Sequence, residues 1–110
     1  MKYLFIIVIF TVLLSLWGFY WAIRPLRIMS SITPSDFRVA YEDVSFRTQD
    51  NILLRGWFIP SSRPKAKTII VLHGYPADKS NILPSRIFLH PFSNLLFIDF
   101  RYFGNSEGPY

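Results

Sequence analysis

The chain has 110 residues, 51% of them hydrophobic and 17% charged, with a formal net charge of +5 and no cysteine. With roughly two dozen residues committed to an apolar N-terminal run, about 85 remain to fold in water, which excludes anything beyond one small domain. The lack of cysteine excludes disulfides and structural thiolate metal sites without choosing a compartment.

Residues 3–23 carry no charge. As a helix rising 1.5 Å per residue they cover roughly the 30 Å hydrocarbon core of a bilayer, so a transmembrane helix is expected. A cleaved secretory signal begins in the same way, with Lys2 before an apolar stretch, but cleavage needs small residues at the far end. Here that end holds Trp17, Phe19, Tyr20 and Trp21, which suit the headgroup belt of an uncleaved span. Arg24, Pro25 and Arg27 then stop the helix and set charge at the interface. Lys2 and the free amino terminus nearly balance Arg24, Arg27 and Arg38, leaving a slight lean toward a cytoplasmic position for the C-terminal part of the chain.

The chain therefore divides into an anchor with its flanks at 1–27, a tether at 28–38 and a folded portion at 39–110. Ser, Thr and Pro without helical period mark the tether. Residues 39–47 and 52–59 alternate as strands, and Gln49, Asp50 and Asn51 between them tolerate the positive φ of a tight hairpin. Residues 68–72 do not alternate and are rich in β-branched types, as burial on both sheet faces requires; residues 95–100 repeat the pattern. Between these two, residues 80–89 suit a short helix capped by Asp78 or Ser80, with Pro84 acceptable only in its first turn. His90, preceding Pro91, is biased out of the helical region and marks the end of that helix. Strand, helix and strand make a parallel βαβ unit.

The basic residues are scattered apart from Arg63, Lys65 and Lys67, which lie in a Pro-containing linker. A solvated loop, or contact with acidic lipid headgroups, fits this distribution better than nucleic acid, so no nucleic-acid partner is expected. No metal-ligand spacing, phosphate-binding glycine loop or cofactor fingerprint is present, so no metal or cofactor is expected.

His73-Gly74-Tyr75 comes directly after the first buried strand, where a glycine lets the chain turn sharply and aim a backbone N–H into the crevice at the sheet's carboxyl edge. Together with the hairpin Y-E-D-V-S-F-R-T-Q-D-N-I-L-L-R-G-W-F-I-P and with D-F-R-Y-F-G-N-S-E-G, it resembles the α/β-hydrolase family over about 70 residues. Asn51 stands where that family usually has glycine, and Tyr102 replaces the first glycine of the second loop. The resemblance, closest to membrane-anchored bacterial serine hydrolases of the esterase or peptidase type, implies that the Tyr75 N–H is one oxyanion donor and that His73 and Gly74 shape its loop.

Gly104-Asn105-Ser106-Glu107-Gly108 satisfies G-x-S-x-G, the pattern of a nucleophile elbow. An elbow places its serine between a strand and the next helix, and the family's histidine comes later in the chain. Ser106 instead lies several residues beyond its strand, and His73 and His90 both precede it. Asp99, Arg101, Gly104, Ser106 and Gly108 are therefore expected to build a structural loop, with Asp99 tying Arg101 or loop amides together. No catalytic residue is expected in this chain. The expectation is an α/β fold with an incomplete sheet, the N-terminal and catalytically inert part of an enzyme acting on an ester, thioester or amide; the alternative is a non-catalytic single-pass interaction module.

Overall fold

The computed structural model describes residues 1–109; Tyr110, the last residue of the folded portion as read from the sequence, lies outside the described residues. Helix α1 (Lys2–Ala22) is the one described helix long and apolar enough to cross a membrane, and none of its residues is buried. Thr11, polar within this run, returns its hydroxyl to the Ile7 carbonyl at 2.9 Å, which satisfies the group without a partner outside the helix. The helix ends just before Arg24-Pro25, because the residue before a proline is sterically driven from the helical region. Within the segment read as a tether, Pro34–Phe37 forms a 3-10 turn, closed by Asp36 accepting the Thr33 N–H at 2.7 Å.

Four strands make one sheet: β1 (Glu42–Arg47), β2 (Leu53–Ile59), β3 (Thr68–Leu72) and β4 (Asn94–Ile98), in the order β1-β2-β4-β3. β1 and β2 form the expected hairpin, Glu42 facing Phe58 and Arg47 facing Leu53, with Asn51 at φ 65° in its turn. β2 runs antiparallel to β4 as well, while β3 and β4 are parallel from Thr68 opposite Asn94 to Leu72 opposite Ile98. Both mixed pairings arise from one insertion: β4 enters between the hairpin and β3.

Helix α2 (Lys79–Arg86) joins β3 to β4, with Asp78 as its N-cap. Its carboxylate accepts the Asn81 N–H at 2.9 Å, filling one of the donors a helix start leaves unpaired. Pro84 departs from expectation by sitting in the second turn. The helix survives only because it ends two residues later, passing into a 3-10 turn at Ile87–Leu89. His90 ends the helical stretch as the cap after Leu89, but it keeps helical angles, φ −52° and ψ −41°, and its N–H bonds the Ile87 carbonyl at 3.0 Å. That closing bond outweighs the steric bias of Pro91.

The core lies on one face, where Trp57, Ile59, Val71, Leu95 and Phe97 pack against Leu83 of α2. On the other face Phe46, Ile70 and Leu72 are exposed by 41%, 59% and 47%. Two-sided burial, expected for β3, is thus not reached: among its residues only Val71 is buried. β3 is an edge strand, and no described helix covers the second face. The apolar sequence is consistent with a covered strand, and the exposed surface remains available for covering elements.

Candidate functional site: the carboxyl edge of the sheet

β3 and β4 are parallel, so their carboxyl ends emerge side by side and bring the loops 73–78 and 99–107 together. His73 joins them. Its Nε2 accepts the Phe100 N–H at 3.0 Å and its Nδ1 lies 2.8 Å from the Gly74 carbonyl. Since Nε2 accepts, this geometry assigns the proton to Nδ1. The ring is 5% exposed and packs edge-on to Phe100 and Phe103. Both nitrogens are engaged by backbone, which makes His73 a clamp between strand ends with no nitrogen left for proton transfer.

Beyond the clamp the chain opens outward. Gly74 and Tyr75 are exposed, Tyr75 by 68%. Among the described residues the Tyr75 N–H donates to no protein acceptor. Gly74 opens a turn, its carbonyl accepting the Ala77 N–H at 3.0 Å, although its φ is not positive and a Cβ there would meet nothing within 4 Å. What its missing side chain contributes is open space beside the Tyr75 N–H.

Asp99 is fully buried at the end of β4. Its carboxylate accepts the Lys79 backbone N–H at 2.7 Å and the Asn105 N–H at 2.9 Å, and forms a salt bridge with Lys79 Nζ at 2.5 Å. That ammonium also reaches the Asn105 side-chain oxygen at 2.9 Å and lies 4.6 Å from the centre of the Trp57 ring. A buried charge is tolerable only when paired and hydrogen-bonded, and both charges here are. Asp99 therefore ties loop amides together, as expected, but its cation is Lys79. Nothing in the sequence points to Lys79, which shares no local motif with Asp99.

Arg101 turns the other way, to Asp50 in the hairpin turn, with a bidentate pair at 2.7 and 3.0 Å. That guanidinium, with help from the Thr48 hydroxyl, holds the Asp50 carboxyl far below the usual carboxylate range. A depressed folded-state pKa stabilises above the ordinary carboxylate value of ~3.9 and is lost as pH falls toward the folded value. Both side chains are half exposed, so solvent and salt screen the effect to a small one.

Ser106 is also fully buried. Its hydroxyl donates to the Asp99 carbonyl at 2.7 Å and accepts the Arg55 N–H at 2.8 Å, so it bridges β2 and β4 from within the loop. Gly104 and Gly108 take positive φ, 50° and 119°. Tyr102, where the resembling loops have glycine, keeps the left-handed conformation at φ 73°. Its hydroxyl donates to the Pro25 carbonyl at 3.0 Å, and Arg27 donates to the carbonyls of Gly104, at 2.8 Å, and Ser106. The segment after α1 is thus bonded to this loop, a connection that no sequence signal announced.

No family model matches the chain. The Escherichia coli (strain K12) protein YfhR is 39% identical over 77 residues, a match covering 61% of this chain and 25% of that protein. Among solved structures, the Pyrococcus furiosus esterase Pf2001 superposes with a TM-score of 0.71 at 37% identity, covering 79% of this chain and 35% of the esterase. The Penicillium α/β hydrolase GrgF gives a TM-score of 0.53 at 33% identity, covering 64% and 25%. The chain spans about a quarter of the length of the curated relatives it matches. With strand order β1-β2-β4-β3, an antiparallel hairpin and one βαβ unit, the described residues have the α/β-hydrolase fold as far as its opening strands, an incomplete sheet behind an apolar N-terminal helix.

Proposed function

We propose that this segment supplies the oxyanion side of a membrane-anchored serine hydrolase domain that cleaves an ester, thioester or amide. One observation carries it. Tyr75 is exposed, and among the described residues its N–H has no protein acceptor at the carboxyl edge, next to a histidine that locks the two strand ends and so fixes the direction of that N–H. A preorganised donor of this kind stabilises the oxygen of a tetrahedral acyl intermediate where charge develops. The likeness to an esterase at 37% identity supports the same chemistry.

The nucleophile, its acid and its histidine base are not among these residues, and Ser106 and His73 are scaffold. Helix α1 is the anchor, with the domain on the cytoplasmic side. No nucleic acid takes part, and neither metal nor cofactor is required by a reaction of this class.

A chimera tests the proposal: residues 39–109 replace the matched segment of the Pyrococcus esterase. The chimera is expected to hydrolyse short-chain esters. Tyr75→Pro, which removes the N–H, should lower kcat by about 10²–10³, whereas Tyr75→Ala, which keeps it, should leave most of the activity. A chimera that melts cooperatively but has no activity, or in which Tyr75→Pro matches Tyr75→Ala, overturns the assignment.

A further inference from the structure

Only Ile23 and Arg24 separate the end of α1 from Pro25, whose carbonyl is held by Tyr102. Three residues reach at most about 10 Å. Pro25 is buried, Arg27 is bonded to Gly104 and Ser106, and the Ser30 N–H donates to Asp78 at 2.9 Å. The chain leaving α1 is therefore laid across both carboxyl-edge loops, first 101–106 and then the start of α2, before the sheet begins. Apolar side chains line this edge in the open: Leu26 is 83% exposed, Met29 59%, Tyr75 68% and Phe100 42%.

We propose that this stitching holds the carboxyl edge of the sheet, and with it Tyr75, against the lipid surface from which α1 emerges, with Leu26, Met29, Tyr75 and Phe100 as the contacting rim. The occupant is a bilayer because α1 ends within about 10 Å of that rim's first stitch, and because the charges beside the rim are occupied: Arg27 by loop carbonyls, Asp78 by the Ser30 and Asn81 N–H groups, Asp99 by Lys79. The amino edge, where Arg63, Lys65 and Lys67 lie, is one strand further away, about 16 Å for five residues. On this placement the basic loop faces water. The proposal rests on α1 being a membrane span, which the first step of the test reads separately.

The full chain has no cysteine, so single cysteines at Tyr75, Lys65 and Ile70 can each carry a bimane label in phosphatidylcholine vesicles containing headgroup spin-labelled lipid. Flotation after an alkaline wash comes first; failure to float overturns the anchor and the placement together. In floated vesicles, quenching at Tyr75→Cys should exceed that at Lys65→Cys several-fold, and Arg27→Ala should abolish the difference. Equal quenching at the two positions overturns the placement while leaving the anchor standing. Strongest quenching at Ile70→Cys, on the uncovered sheet face, overturns it in favour of a face-down arrangement. A preference that survives Arg27→Ala overturns the stitching as its cause.

Discussion

Replacing Gly104 by alanine is expected to destabilise the domain strongly. A Cβ at this position would lie under 3.0 Å from both carboxylate oxygens and the carboxylate carbon of Asp99. Neither side can give way: Gly104 is at φ 50°, where a side chain costs roughly 1–2 kcal/mol, and Asp99 is held by two amides and an ammonium. Overpacking adds roughly 1–3 kcal/mol more, for a total of about 4 kcal/mol. Urea denaturation of the esterase chimera reads this as a large fall in midpoint with unchanged slope. A fall no larger than that of an ordinary surface substitution would show that the loop is not built around the Asp99 carboxylate.

The second large effect separates the two members of the buried ion pair. Asp99→Ala leaves the Lys79 N–H and the Asn105 N–H without their acceptor and the buried Lys79 ammonium with the neutral Asn105 oxygen in place of its counter-ion, and should cost about 4 kcal/mol. Lys79→Met removes the cation, but the carboxylate keeps its two backbone donors, and an apolar chain can lie on Trp57 in place of the ammonium. A loss of about 2 kcal/mol is expected. Equal losses in the two variants would mean that the pair acts only as a charge pair and that the loop amides contribute nothing.

The residues whose structural roles were legible in the sequence are those whose reason is local. Asn51 takes the positive φ that its place in a hairpin turn demands, and Asp78 caps the helix that begins one residue later. The apolar runs of β3 and β4 pair in parallel because a helix separates them. What could not be read depends on contacts between residues distant in sequence. Lys79 and Asp99 are twenty residues apart and meet only because β4 lies next to β3. Arg27 meets Ser106 across 79 residues, and nothing in the Ser/Thr/Pro-rich composition of the segment after α1 hints that it lies on a loop.

At Gly74 the turn was legible in the sequence, but not how it is made. The chain does turn between Gly74 and Ala77, yet Gly74 itself keeps a φ that is not positive, and its missing side chain leaves space at the Tyr75 N–H. The G-x-S-x-G match at residues 104–108 is a comparable case, in which both glycines serve loop conformation and the serine hydroxyl is spent between Asp99 and Arg55. In each instance the residue types are those of a catalytic motif, and the hydrogen bonds decide their use.

The apolar face that carries Phe46, Ile70 and Leu72 bears on any handling of the chain by itself. Exposed strand edges and apolar faces of this kind pair with other copies, which is why the esterase chimera and the vesicle-bound chain are the forms in which stability and placement are best measured.

Treatment of the full chain in vesicles with a fluorophosphonate probe bears most directly on the central claim, that this segment holds the oxyanion side of a hydrolase while its serine motif is structural. Ser106 is buried and bonded at both its donor and its acceptor positions, so no labelling is expected. Stoichiometric labelling that maps to Ser106 and disappears in Ser106→Ala would contradict the account.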